Sequence, residues 1–192
     1  MSQWDSYYKK LADKPPRPLL VRALSYGEDF QYKDALDIGA GTLNDSVHLL
    51  EEGWNVTAID SSKEFLEYAN AISHTKFKAI NVPIEKYEFD KTFNLVNAQF
   101  VLPFINKTIF KDVFPKIVSL LDTGGIFCGQ FFGMKDEWNT TSTQMTFLTE
   151  EEIRLFLNGF KVISLKEVEE DKETAAGNMK HWHVYHFIAI KN

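Results

Sequence analysis

The strongest constraint in this chain is a pair of short apolar runs, each ending in a particular chemistry. Residues 35–46, Ala-Leu-Asp-Ile-Gly-Ala-Gly-Thr-Leu-Asn-Asp-Ser, carry Leu36 and Ile38 into the turn Gly39-Ala40-Gly41, and residues 55–60, Asn-Val-Thr-Ala-Ile-Asp, close on Asp60. A strand, a glycine turn, a helix and a second strand ending in an acid make up a nucleotide-binding βαβ unit. The glycines let the backbone approach a ligand, and a carboxylate at the end of the second strand can accept both hydroxyls of a ribose. A dinucleotide site wants a third glycine where Asn44 stands, so the pattern favours a nucleoside-bearing cofactor over a nicotinamide dinucleotide.

From Ala35 onwards apolar and amphipathic segments alternate. Strands are expected at 35–38, 55–60, 77–82, 93–99 and 125–132, with helices near 44–52, 62–72, 107–121 and 149–157. Such alternation implies parallel pairing through right-handed crossovers. Two further strands, 160–169 and 181–191, are separated by residues 171–178, Asp-Lys-Glu-Thr-Ala-Ala-Gly-Asn, which are too few for a crossover helix and suit an antiparallel hairpin. Ahead of this unit, residues 1–34 are aromatic and broken by Lys14-Pro15-Pro16-Arg17-Pro18, so a helical segment that packs on the sheet or closes over a ligand is expected.

Composition narrows the partners. A net charge of −6 with no basic block disfavours nucleic acid, whose phosphates require clustered Lys and Arg. The lone cysteine, Cys128, rules out an intrachain disulfide framework and is expected in the core. No run approaches the ~20 apolar residues of a membrane span. A soluble cytoplasmic protein without a membrane partner, monomeric or homodimeric, is the expectation.

Taken together, these motifs resemble the class I S-adenosylmethionine-dependent methyltransferases. The resemblance runs from residues 36–41 through Val56–Asp60, Asn81-Val82, the strand beginning Phe93-Asn94 and the Leu121-Asp-Thr-Gly-Gly-Ile segment. Residues 146–160 and the ending 177–191 look most like the small bacterial methyltransferases of the tellurite-resistance type. The resemblance implies an α/β fold: a Rossmann-like, seven-stranded, mostly parallel sheet of order 3-2-1-4-5-7-6, with strand 7 antiparallel and helices on both faces. It makes 35–192 the methyltransferase domain and S-adenosyl-L-methionine the cofactor, with S-adenosyl-L-homocysteine as product. Gly39, Ala40 and Gly41 would then meet the methionyl part, supported by Asp37, and Asp60 would hold the ribose. Ser61 or Ser62 would flank the adenosine, Asn81 and Val82 would meet the adenine, and Ala98, Gln99 and Phe100 would line the methyl-donor side.

A sulfonium donor carries an excellent leaving group, so no catalytic base is obligatory and the acceptor site is expected to be a shaped aromatic cup. Its candidates are Trp4, Tyr7, Tyr8, Phe100, Phe104, Phe132, Met134 and Trp138, together with His181, Trp182 and His183 near the pocket mouth. The histidine pair has an equally ordinary reading as strand packing, and no metal is expected, since no further ligand is evident beside it. Asp136-Glu137 and the acidic run 167–171 read as solvated loop charges, with a cationic acceptor at the pocket mouth as the alternative. The transfer implied is to a small-molecule acceptor. A nicotinamide-dependent oxidoreductase and a non-catalytic cofactor-binding domain are the competing readings.

Overall fold

The computed structural model describes residues 10, 12, 14–27, 30–88 and 91–192. Trp4, Tyr7 and Tyr8 lie outside the described residues. The elements in chain order are α1 (Pro18–Leu24), β1 (Asp34–Ile38), α2 (Asn44–Glu51), β2 (Asn55–Asp60), α3 (Phe65–Ala69), β3 (Phe77–Asn81), β4 (Phe93–Ala98) and α4 (Phe110–Ser119). They continue with β5 (Leu121–Gly133), α5 (Trp138–Thr141), β6 (Phe147–Leu148), α6 (Glu150–Phe156), β7 (Phe160–Glu173) and β8 (Met179–Lys191). Pro18 starts α1, where the missing N–H costs nothing, and α6 opens on a capping box in which Thr149 and Glu152 satisfy each other's backbone N–H groups.

One sheet of order β3-β2-β1-β4-β5-β8-β7 organises the chain, and the two-residue β6 adds to it by pairing parallel with β5. The expected order holds strand for strand. Its last two labels rise by one because β6, too short to leave a periodic signal, precedes them. β1 to β5 run parallel, and β8 is antiparallel to both β5 and β7. β5 covers β8 only from Val184 to Ile190, whereas β7 and β8 stay paired out to Glu173 and Met179. The distal hairpin therefore projects past the carboxyl edge of the parallel strands as a two-stranded arm.

Apolar side chains from alternate strand positions fill both faces. One face packs Leu36, Ile38, Phe127, Phe131 and Phe187 against Phe110, Phe114 and Ile117 of α4 and Ile153 of α6. The other packs Ala35, Ala58, Ile126, Cys128 and Ile188 against Leu20 and Ala23 of α1, Leu49 of α2 and Phe65 of α3. The described part of the N-terminal segment thus contributes core as well as cover. No helix among the described residues is long and apolar enough to cross a membrane.

The turn after β1 is tied to the neighbouring strand, since Gly39 N–H and Ala40 N–H both donate to the Ile59 carbonyl, at 2.8 and 3.1 Å. Gly39 has φ +67° and a Cβ there would stand 2.7 Å from Val101 Cγ2, so it is held both by backbone hand and by close approach. Gly39→Ala is therefore expected to destabilise the protein by about 1–3 kcal/mol in urea unfolding; an unchanged midpoint would show that the turn relaxes without cost.

Candidate active site

The site forms at the carboxyl edge, where β1, β2 and β4 end side by side. Asp60 closes β2 almost fully buried; Gly41 N–H donates to its Oδ2 at 2.9 Å and Ser62 N–H to its Oδ1 at 2.8 Å. Two backbone donors thus orient one carboxylate against the glycine turn. Asn81 spends both amide hydrogens on the carbonyls of Asp60 and Ser62, at 2.8 and 2.7 Å, which turns its Oδ1 into the group it can offer a ligand. Val82 N–H also donates to the Asp60 carbonyl, which draws the loop after β3 onto the end of β2. Ser61 is exposed and Ser62 half-buried beside them. A carboxylate fixed beside a glycine turn, with an amide oxygen one strand away, is a pair of acceptors that fits the hydroxyls and amine of a nucleoside.

Beneath the turn lies a buried polar network. Asp37 accepts from Ser46 Oγ at 2.6 Å and Asn97 Nδ2 at 2.9 Å, and the same Asn97 amide reaches Asp45 Oδ2 at 3.1 Å. Burial, reinforced by the charge of Asp45, pushes the Asp37 carboxyl up to about 7 against the pull of its Ser46 and Asn97 hydrogen bonds. Asn97 Oδ1 accepts from Gln99 Nε2, Gln99 Oε1 accepts from Gln130 Nε2, and Gln130 Oε1 accepts from Phe100 N–H, each at 2.7 Å. The chain of amides runs from the glycine turn across the ends of β4 and β5, and it holds Phe100 in its left-handed backbone conformation at φ +54°. Ala98 and Gln99 are buried at the end of β4, just before Phe100.

The aromatic cup is built from Phe100, Phe104, Phe132, Trp138 and Trp182, with neighbouring ring centroids 5.4 to 6.4 Å apart. Phe104, Phe132 and Trp138 are brought together as the sequence suggested; Met134, 48% exposed, is not part of the wall. Trp182, expected near the pocket mouth, forms one wall of the cup, and Lys180 is a member that the sequence did not suggest. The Lys180 ammonium, almost fully buried, sits 3.7 Å from the Trp182 ring, 4.4 Å from Trp138 and 5.2 Å from Phe132, and is paired with Asp136 Oδ2 at 2.6 Å. Burial lowers its pKa, and Asp136 opposes that shift. Asp136 is therefore not a solvated loop charge: it is 1% exposed and also accepts from the N–H groups of Trp138 and His183.

His181 and His183 are not brought to this cup. Successive strand residues point to opposite faces, and Trp182 faces the cup, so its two neighbours face away from it. On that far face the register sets Glu169 across from His183 and Asp171 across from His181. His183 Nδ1 accepts from Lys135 N–H at 3.1 Å, which leaves the ring proton on Nε2, 2.7 Å from Glu167. Glu167, its carboxyl pulled below its ordinary range chiefly by that hydrogen bond, also accepts from Tyr185 Oη. His181 donates towards Asp171 and Glu169, and its hydrogen bond to Asp171 leads in raising its pKa. Ligand atoms of Glu167, Glu169 and His183 come within 4.8 Å of one another, so further potential metal ligands do lie beside the histidines. The His183 tautomer argues against a metal there, because the nitrogen facing the carboxylates carries the proton.

The histidine that does reach the cup is His186, directly opposite Gln130 in the β5–β8 register, with its ring centroid 6.1 Å from that of Phe100. Period-two counting along β8 from Trp182 would have found it. Arg17, whose guanidinium lies 4.9 Å over the Phe100 ring, and the buried Asp45, which receives Arg17 N–H at 2.8 Å, carried no sequence signal of their own.

The strand order gives the fold: it is that of the class I S-adenosylmethionine-dependent methyltransferases. Residues 35–125 match the family described as a methyltransferase domain. Among solved structures, the chain is similar to TehB from Haemophilus influenzae (TM-score 0.74, 14% identity), over 90% of this chain and 62% of that one. The chain thus spans less than two thirds of TehB. It also resembles the N-methyltransferase NodS from Bradyrhizobium japonicum, solved with S-adenosyl-L-homocysteine (TM-score 0.66, 15% identity, 98% and 97% of the two chains). A third likeness is to 1,6-didemethyltoxoflavin-N1-methyltransferase from Burkholderia thailandensis, solved with S-adenosylhomocysteine and its acceptor (TM-score 0.68, 20% identity, 92% and 77%). Comparison with curated proteins gives no match.

Two outcomes test the electrostatics. Because the folded-state pKa of Asp37 is raised, its contribution to stability is complete below pH ~4 and is lost as pH rises to about 7. The stability of the wild type relative to Asp37→Asn should therefore fall between pH 4 and 7 and level off above; a flat difference would contradict the raised pKa. Lys180→Met leaves Asp136 as an uncompensated buried carboxylate, so a loss of ~3–5 kcal/mol is expected. In the Asp136→Asn background the same substitution should cost markedly less, read as a double-mutant cycle in urea.

Proposed function

We propose that this chain is an S-adenosyl-L-methionine-dependent methyltransferase that transfers a methyl group to a small-molecule acceptor by in-line displacement. One observation carries the reading: the Asp60 carboxylate, oriented by Gly41 and Ser62 N–H against the Gly39 turn. Asp60 holds the ribose, Asn81 Oδ1 accepts from the adenine amine with Val82 against the ring, and the turn 39–41 receives the methionyl part, with Asp37 bracing it from below. Ser61 and Ser62 flank the adenosine. When bound, the cofactor supplies a methyl group on a sulfonium whose departure needs no further activation.

The chain's own work is therefore alignment and exclusion of water. Phe100, Phe104, Phe132 and Trp138 form the cup that fixes the acceptor, and aromatic faces attract a sulfonium charge by ~0.5–2 kcal/mol per good contact. Residues 35–192 form the catalytic unit, with 1–34 as packing segment or lid, in a soluble cytoplasmic protein, monomer or homodimer, that binds neither nucleic acid nor membrane.

Calorimetry tests this reading. S-adenosyl-L-homocysteine should bind and NADH should not, and Asp60→Ala should weaken the former by about 1–3 kcal/mol through lost charge-assisted hydrogen bonds. Failure of S-adenosylhomocysteine to bind the wild type would overturn the methyltransferase reading, and undiminished binding to the variant would displace the ribose site from Asp60.

A further inference from the structure

Phe100 is the hub of the cup. Around its ring stand the Arg17 guanidinium at 4.9 Å and the rings of His186, Phe132 and Trp182, their centroids at 6.1, 6.3 and 6.4 Å. Arg17 follows two prolines, and its backbone N–H is fastened to Asp45, so its main chain is fixed where it enters. Among the described residues no carboxylate pairs with its guanidinium. His186 is set by the amide chain: Gln130 Oε1 is taken by Phe100 N–H, so Gln130 Nε2 faces His186 Nδ1 at 3.4 Å and the imidazole proton belongs on Nε2. No buried polar side-chain atom among the described residues lacks a partner; Nε2, for which none is found, is therefore open to solvent.

Both groups present N–H donors and neither offers an acceptor. Lys166, opposite His186 in the β7–β8 register, adds a positive charge on the same face, and Glu170 across from Trp182 is paired with Lys172. Burial is the main cause that disfavours a second proton on His186; Lys166 and Arg17 add to it, and Glu170 opposes them. A cationic ligand meets the opposite situation, because the faces of Trp182, Trp138 and Phe132 that would attract it already surround the Lys180 ammonium.

We propose that Arg17 and His186 form the anion-binding half of the acceptor subsite, and that the acceptor is a planar aromatic carboxylate whose ring lies against Phe100, Phe132 and Trp182. A guanidinium matches a carboxylate with two parallel hydrogen bonds, the imidazole Nε2–H supplies a third, and the rings of the cup receive the aromatic body in edge-to-face contact. Calling this ligand the acceptor rests on the methyltransferase reading; the binding site does not.

The experiment is calorimetric titration of the protein, with and without saturating S-adenosyl-L-homocysteine, by benzoate, benzamide, benzylamine and sulfate. Benzoate is expected to bind at least ~10-fold more tightly than any of the other three. Arg17→Gln and His186→Phe should each weaken benzoate by ~5-fold or more, with Arg17→Lys between wild type and Arg17→Gln, while S-adenosylhomocysteine affinity stays at the wild-type value. Absence of benzoate binding, equal binding of benzamide, benzylamine or sulfate, or unchanged benzoate affinity in both variants would overturn the proposal. If benzoate behaves as expected while S-adenosylhomocysteine does not bind, the anion site stands and the methyltransferase reading falls; the reverse pattern does the opposite.

Discussion

The structure depends on a backbone turn that cannot stand by itself. Between β1 and α2 the chain reverses through Gly39, Gly41 and Leu43, all with positive φ, and the last is a bulky residue in a conformation that costs energy. What stabilises the turn is the second strand: the Ile59 carbonyl takes the N–H groups of Gly39 and Ala40, and the Asp60 carboxylate takes that of Gly41. The residue proposed to receive a ribose is thus also the residue that shapes the loop around it, and under that proposal cofactor recognition and local folding share one carboxylate.

A second constraint acts below the turn. Asp37 and Asp45 are both buried and both acidic, and they are tolerated because Ser46, Asn97 and the Arg17 backbone surround them with donors. Asn97 is central, since its amide bridges the two carboxylates while its oxygen accepts from Gln99. From there the amides relay to Gln130 and so to Phe100 and His186. A fully satisfied buried network rigidifies its surroundings, and this one joins the glycine turn to the aromatic cup. The two halves of the site are therefore held by one set of hydrogen bonds.

Much of this was legible in the sequence, and the reason is periodicity. Apolar runs in β1, β2, β4 and β5 gave the sheet, and the short span between β7 and β8 forced a hairpin. Gly39, Gly41 and Asp60 declared themselves because their chemistry is tied to positions in one βαβ unit. The cup was legible only in part. Phe132 lies near the end of β5 and Trp138 follows it, so both had to stand at its carboxyl edge, whereas proximity to that edge does not fix which face His181 and His183 occupy. Strand parity decides the matter: one residue's offset exchanges His183 for Trp182, and with it a carboxylate-bound histidine for a cup wall. The pairing of Asp136 with Lys180 carries no sequence signal, because 43 intervening residues separate the two and an ion pair closed within aromatic rings leaves no pattern in a single sequence.

The Lys180–Asp136 pair shows how such a cup keeps its shape. Asp136 accepts from Lys180, from His183 N–H on the arm and from Trp138 N–H at the start of α5, so one carboxylate joins the loop after β5 to the projecting hairpin. Lys180 in turn sits among Phe132, Trp138 and Trp182, one ring from each of the three segments it connects. A hydrophobic residue in its place could fill the volume, but it would not satisfy Asp136, and burying that charge alone would drive the loop away from the arm. The pair therefore sets where Trp138 and Trp182 stand relative to Phe132, and it does so as a neutral unit that adds no net charge to the cup. The electrostatic character of the wall is then left to the groups beyond the pair, Arg17 and His186, which are joined to the glycine turn through Asp45 and the amide chain.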